Sequence, residues 1–131
     1  MSIPSILAKV PEIDKVAHNM GHAAGMTDNE RSDLAIALTE IVKNAILHGN
    51  QANPQKTVLI HFIIGDDQLT VTVKDEGAGF DPDGIPDPTS PENLLKDTGR
   101  GIFVSRHLLD EIRFDREADG MKVTLIKYLD N

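Results

Sequence analysis

Residues 56–75 read KTVLIHFIIGDDQLTVTVKD. Two runs rich in β-branched residues, KTVLIHFIIG and QLTVTVKD, are separated by Asp66 and Asp67, which follow a glycine. Val, Ile and Thr suit the pleated, half-buried surface of a sheet, and so short a polar break between two such runs predicts a hairpin. The flanking sequence must supply whatever covers it. Upstream, residues 5–23 place Ile6, Val10, Ile13, Val16, Ala17 and Met20 at helical spacings, with Pro11 kinking or restarting the helix. GMTDNERSD then breaks the pattern and starts a second helix, with Thr27 as cap and Glu30 three positions on. That helix runs to His48, where HGNQANP stops it with Gly49, two asparagines and Pro54.

Downstream, EGAGFDPDGIPDPTSPENLLKDT (76–98) holds four of the seven prolines. A connection of that length inside a compact domain is characteristic of lids and binding loops. It predicts a mobile cover over about 81–98, with a short helix at PENLLK. A helix over 101–110 follows, and EIRFDREADGMKVTLIKYL (111–129) gives two further strands joined at Asp119 and Gly120. The order helix, helix, hairpin, lid, helix, hairpin predicts an α+β two-layer sandwich, an antiparallel or mixed sheet with helices on one face.

Composition sets the limits on function. At 131 residues and 40% hydrophobic content, one domain with one core is expected over 1–131. Cysteine is absent, so neither a disulfide framework nor a thiolate metal site is possible, which fits the cytoplasm. No basic-then-apolar leader opens the chain and no run reaches the roughly 18 apolar residues that span a bilayer, so no membrane partner is expected. A net charge of −8, with 21 acidic against 13 scattered basic residues, disfavours direct nucleic-acid binding and suits a basic protein partner.

The second helix carries polar residues that its pattern does not need. Leu34, Leu38, Ile41, Val42 and Ala45 form one broad face, while Ile36 and Leu47 fall near the opposite side, so the helix is expected to be mostly buried. Glu40 and Asn44 nevertheless stand one turn apart on a stripe that continues to His48. Burying an unpartnered carboxylate costs several kcal/mol, and a cleft beside the sheet relieves that cost. There Asn44 offers a neutral oxygen to a hard cation such as Mg²⁺, and Glu40 accepts a proton from a hydroxyl or water. The plainer alternative pairs Glu40 with Lys43 or Lys74 at an exposed edge and uses Asn44 to cap a loop.

Two glycine-rich stretches extend the pattern. VTVKDEGAGF ends a strand in Asp75, followed by Gly77 and Gly79. A carboxylate there can accept a hydrogen bond from an exocyclic amine such as that of adenine, with glycines letting a flat ring pass the backbone; an ordinary turn is the alternative. TGRGIFVSRHLLDEI (98–112) sets Gly99, Arg100 and Gly101 at a helix start, where unpaired N–H groups and the positive dipole end favour phosphate. A tight turn would need the same glycines. His18 and His22 lack a third ligand at helical spacing, and Ser105 and His107 lack a third partner, so neither a metal site nor a hydrolytic triad is expected. His48 either orients a phosphate or lid residue or simply complements the helix dipole.

Taken together, EIVKNAILHG, DEGAGF and GRGIF stand in the order and at the intervals of the N box and two glycine boxes of the GHKL superfamily of ATPases. Within it, LTEIVKNAILHGN and GRGIFVSRHLLDEI resemble the bacterial anti-sigma factor serine kinases of the RsbW and SpoIIAB type, over about residues 4–129. The resemblance implies a Bergerat-type sandwich that binds Mg·ATP, with Glu40 as general base, Asn44 as Mg²⁺ ligand, Asp75 reading adenine, Gly77 and Gly79 shaping its pocket, and Gly99, Arg100 and Gly101 holding phosphates beneath the lid. It further implies a sigma factor as sequestered partner, a STAS-domain antagonist as the serine or threonine substrate, and a homodimer.

Two departures from the family pattern stand out. The family's final strand often begins with glycine and a threonine that helps to bind adenine, whereas Gly120 is followed here by Met121, leaving the role to Thr124 or water. That departure motivates an alternative, a nucleotide-binding regulator without phosphotransfer. Only MSIP precedes the first helix, so the sheet is expected to lack one strand or to have that edge completed by a partner.

Overall fold

The computed structural model describes residues 1–77 and 108–129. The expected lid, most of the helix over 101–110, and Gly79, Gly99, Arg100, Gly101, Ser105 and His107 lie outside the described residues.

The central hairpin forms as its sequence dictates. β2 (Thr57–Ile64) and β3 (Gln68–Lys74) pair antiparallel from Leu59 opposite Lys74 to Ile64 opposite Leu69. Gly65 N–H closes the turn on the carbonyl of Gln68 at 2.9 Å. β4 (Glu111–Glu117) and β5 (Gly120–Tyr128) form the second hairpin, and β5 docks beside β3 with Val73 opposite Val123. The five strands lie in the order β1-β2-β3-β5-β4, every pair antiparallel. Among the described residues two helices cover one face of this sheet, an α+β sandwich as expected.

The fifth strand corrects the expectation of a missing one. Ser2–Pro4 form β1, with Ser2 opposite Leu59 and Ile3 opposite Val58. Ile60 N–H extends the ladder to the carbonyl of Met1 at 2.8 Å. Three residues are too few to show a period, and proline is tolerated there because an edge strand can dispense with one donor.

The first helix is also shorter than its pattern. After a 3₁₀ turn at Leu7–Lys9, α1 spans Val10–Ala23. Pro11 sits in its first turn, where the missing N–H has no intrahelical partner to lose. α2 (Asp28–Asn44) opens on the capping box expected at Thr27: Glu30 N–H donates to Thr27 Oγ1 at 3.2 Å, and Thr27 N–H donates to Glu30 Oε1 at 3.0 Å. Those bonds hold the Glu30 carboxyl below its usual range, the Thr27 backbone N–H contributing most. Its lowered value means that the stabilisation is present above the ordinary glutamate range and is lost as pH falls through the folded value. Thr27→Ala is expected to lower stability by about 1 kcal/mol, read as a reduced urea midpoint with an unchanged slope.

Between the layers, Ile13 of α1 and Leu34, Leu38 and Ile41 of α2 meet Ile60, Leu69, Val71, Val73, Met121 and Leu125 of the sheet, all at most 2% exposed. Each such side chain contributes roughly 1.5–3 kcal/mol of burial. Along β5, Met121, Val123 and Leu125 face the helices, and Lys122 and Thr124 face away.

The second helix departs from its pattern in two respects. The α geometry stops at Asn44 and widens into a π turn over Ala45–Gly49, closed by Asn50 N–H on the carbonyl of Ala45 at 2.8 Å. Ile36 of α2 and Leu47 of the π turn are exposed, so the helix is not mostly buried: the sheet and α1 cover part of it, and its outer side is open among the described residues.

Candidate functional site

The site forms where the C-terminal end of α2 meets the end of β3. Asp75, one residue past β3, is 2% exposed, and its Oδ1 accepts N–H bonds from Gly77 and Met121, both at 3.1 Å. Its own N–H donates to the carbonyl of Met121 at 3.1 Å, so the carboxylate is fixed between two strands. No donor among the described residues reaches Oδ2. Burial raises the Asp75 carboxyl above its ordinary value, partly offset by the two backbone donors and the nearby charges of Lys74 and Lys56. A carboxylate kept dry, with one oxygen uncommitted, is suited to accepting a ligand N–H.

Glycine is what allows this approach. A Cβ on Gly49, at the end of the π turn, would stand 2.1 Å from Asp75 Oδ2, and a Cβ on Gly77 would stand 1.5 Å from the Gly49 carbonyl oxygen. Gly77, expected to shape the adenine pocket, lets the chain after β3 lie against the end of the helix.

Asn50 locks this junction and was missed in the sequence, where it served only as a helix stop. Buried at 1% exposure, it donates from Nδ2 to Ser5 Oγ at 2.8 Å and to the Thr57 carbonyl at 3.0 Å, and accepts from Glu76 N–H at 2.8 Å. Glu76 in turn accepts from Thr57 N–H at 2.6 Å. One amide thereby joins the exits of β1, α2 and β3 to the start of β2. The only sequence signal was an asparagine directly after His48-Gly49, in a stretch that also holds Asn53.

Asn44 lies one π turn before Gly49. It is 6% exposed, and its Nδ2 is the one buried side-chain polar atom among the described residues without a hydrogen-bond partner. An orphaned buried amide costs about 1–3 kcal/mol. The capping role considered for it is not what the structure shows. The group fits a ligand that brings both a cation and anionic oxygens: its carbonyl oxygen suits Mg²⁺ and its N–H suits a phosphate oxygen. Among the described residues no three histidine, cysteine or acidic side chains gather as a metal cage. Mg²⁺ typically takes only one or two protein oxygens and completes its shell with phosphates and water, so a lone amide oxygen is compatible with it.

Glu40, one α turn before Asn44, is a third exposed, and its Oε1 lies 3.3 Å from Lys43 Nζ. Of the two alternatives weighed for it, Lys43 is the partner, while Lys74 pairs with Asp119 at 2.7 Å and Glu117 at 3.9 Å. A half-exposed ion pair of this kind is worth at most about 1 kcal/mol and exchanges readily.

Thr124 is not brought to this cluster. It lies on the outer face of the sheet, between Thr72 and Arg113 in register, because side chains alternate along β5 and Met121 takes the inward direction. Met121 serves Asp75 through its backbone N–H. His48 is exposed at the π turn, and His18 Nε2 stands 3.9 Å from Asp14 Oδ1 as an ordinary helical pair. No helix of the described residues is long and apolar enough to cross a membrane.

Residues 3–127 match the family described as histidine kinase-like ATPase domain. The serine-protein kinase RsbW of Bacillus subtilis (strain 168) is 31% identical over 135 residues, covering 98% of this chain and 84% of the relative. The anti-sigma F factor of Bacillus cytotoxicus is 34% identical over 110 residues, covering 80% of this chain and 74% of the relative. Among solved structures, the histidine kinase domain of the Erythrobacter litoralis EL346 blue-light activated histidine kinase superposes with a TM-score of 0.63 at 20% identity, over 95% of this chain and 61% of that one, a likeness of fold.

Proposed function

Because the chain belongs to the histidine kinase-like ATPase domain family, we propose that it is an ATP-dependent protein serine/threonine kinase of the anti-sigma factor type. It sequesters a sigma factor or an equivalent regulated protein, and it phosphorylates a STAS-domain antagonist in a partner switch. The observation that carries this reading is the unpartnered, buried amide of Asn44, one turn from Glu40 on one side and one π turn from the Asp75 junction on the other. The relatives named as a serine-protein kinase and an anti-sigma factor support it.

Each residue then has a task. Asp75 accepts the exocyclic amine of adenine on its uncommitted Oδ2. Asn44 holds Mg²⁺ through its amide oxygen; the metal neutralises phosphate charge when bound. Glu40, released from Lys43, accepts the proton of the acceptor hydroxyl as that oxygen forms its bond to the γ-phosphorus and the bond to the β,γ-bridging oxygen breaks. Gly79 belongs to the adenine pocket, and Gly99, Arg100 and Gly101 to the phosphates. The protein works as a homodimer in the cytoplasm.

The Glu40–Lys43 ion pair favours one second reading, a nucleotide-bound regulator whose carboxylate never meets a hydroxyl. Incubation of the purified protein with γ-labelled ATP and a STAS-domain antagonist from the same organism separates the two. Label on an antagonist serine or threonine is expected. Nucleotide binding without transferred label would establish the second reading instead.

A further inference from the structure

Asn44 and Asn50 are buried asparagines of the same helix end, used in opposite ways: the Asn44 amide keeps an unpartnered Nδ2, whereas both polar atoms of the Asn50 side chain are committed. A fully satisfied buried amide holds several segments in one arrangement. Around Asn50 that arrangement is built against local backbone preference. Gln51 and Ala52 follow it at φ 53° and 56°, in the left-handed region that favours glycine, and neither is glycine. Such strain persists only where the surroundings over-determine it, and it gathers at sites where a group must be aimed. Here Ala52 N–H donates to the Ile46 carbonyl at 2.7 Å and Asn53 N–H to the Asn50 carbonyl at 3.0 Å, so the strained pair is pinned on both sides.

What the clamp aims is the chain that carries Asp75. Asn50 Oδ1 accepts the Glu76 N–H at 2.8 Å, and the Glu76 carboxylate closes on the first residue of β2, its Oε2 accepting from Thr57 N–H at 2.6 Å and from Thr57 Oγ1 at 3.0 Å. The peptide between Asp75 and Glu76 is thereby fixed on the helix side, as the Met121 N–H fixes Asp75 on the β5 side. Gly77 N–H reaches Asp75 Oδ1 because the chain turns at Glu76 and lies against Gly49. With Oδ1 tied down by these two donors, the direction of Oδ2, the oxygen left for a ligand, is set by the same clamp.

We propose that Asn50 and Glu76 are positioning residues for nucleotide recognition: neither touches the nucleotide, and together they aim Asp75 Oδ2 so that the site takes adenine in preference to guanine. The inference rests on the nucleotide reading above and deepens it. Displacing a recognition group by about 1 Å is enough to cost up to about a hundredfold. Glu40 and Asn44 lie on α2 before the π turn, so loosening the clamp falls on base recognition and much less on phosphoryl transfer.

Calorimetric titrations with Mg·ATP and Mg·GTP, and transfer rates to a STAS-domain antagonist from the same organism, are compared for the parent, Asn50→Ala, Glu76→Ala and Thr27→Ala. The last loses the cap at the far end of α2 and is the control for lowered stability alone. Asn50→Ala is expected to shrink the preference for Mg·ATP over Mg·GTP at least about tenfold and to raise the KM for Mg·ATP by a similar factor, with the rate at saturating Mg·ATP falling less than about threefold. Glu76 is exposed, so Glu76→Ala keeps the fold; it is expected to shrink the preference at least about threefold, the loss of one hydrogen-bonding group. Thr27→Ala keeps the parental preference. A parental preference in Asn50→Ala overturns the positioning role, and where that variant does not fold, a parental preference in Glu76→Ala overturns it instead. An equal loss in Thr27→Ala assigns the effect to stability at large and also overturns it. A parent that binds neither nucleotide, or both equally, overturns the nucleotide reading and this role with it. A parent that prefers Mg·ATP but does not transfer overturns only the kinase step, and the binding ratios still decide the positioning role.

Discussion

Glu40→Gln is expected to retain Mg·ATP binding and to lose phosphoryl transfer by roughly 10²–10⁴-fold, the contribution of a positioned general base. The substitution keeps the size of the side chain and its hydrogen-bonding oxygen, and it stands on the partly exposed side of α2, outside the packed layer between helices and sheet. Folding and nucleotide binding are therefore preserved. What is removed is the capacity to take a proton from the acceptor hydroxyl. Single-turnover transfer with saturating nucleotide measures it: a reduced rate constant at unchanged nucleotide affinity assigns Glu40 to the chemical step, and undiminished transfer removes it from that role.

The second large effect falls on Asp75. Asp75→Asn is expected to reduce adenine-nucleotide affinity at least about a hundredfold, because a site built to accept a hydrogen bond loses far more when the acceptor is replaced than an apolar pocket loses with a methylene. Without nucleotide the same substitution should not destabilise the protein near neutral pH. Burial raises the carboxyl above its unfolded value, so the folded state binds more protons than the unfolded chain in the interval just above the ordinary carboxylate range. Stability contributed by that group is present at low pH and is lost as pH rises through the interval. Removing the ionisable group relieves that loss, and the asparagine oxygen still accepts from Gly77 and Met121. Thermal midpoints of parent and variant should converge or cross as pH is lowered, with the variant at least as stable at neutral pH. A variant that melts well below the parent at neutral pH would show that the charged form is needed for the fold.

Much of this arrangement was legible in the residues themselves. Runs rich in β-branched residues on either side of a short polar break placed the central hairpin, and the turn at Asp119 and Gly120 placed the second. The cap at Thr27 was readable because side-chain and backbone groups three residues apart satisfy one another locally. The position of Asp75 at a strand end came with the hairpin. What could not be read depended on tertiary contact. β1 is too short to carry a pattern and exists only because β2 offers it an edge. Helical spacing put Ile36 and Leu47 opposite the core-facing residues, but spacing does not say whether a second layer covers that side. The π turn over Ala45–Gly49 and the clamp of Asn50 arise because the helix end must meet the chain after β3, with Gly49 and Gly77 in direct backbone approach. Thr124 was offered, beside water, as the substitute for the family's adenine-binding threonine, and the alternation of β5 sends it to the other face.

The central claim is that the buried, half-committed carboxylate of Asp75 and the orphaned amide of Asn44 together hold an adenine nucleotide with its metal. Calorimetric titration of the parent protein with Mg·ATP and, separately, Mg·GTP tests it most directly, since guanine presents a carbonyl where adenine presents the amine. Saturable binding of Mg·ATP, with Mg·GTP weaker by at least about a hundredfold, is the predicted result. Equal affinity for the two nucleotides, or no heat with either at millimolar concentration, would contradict the account.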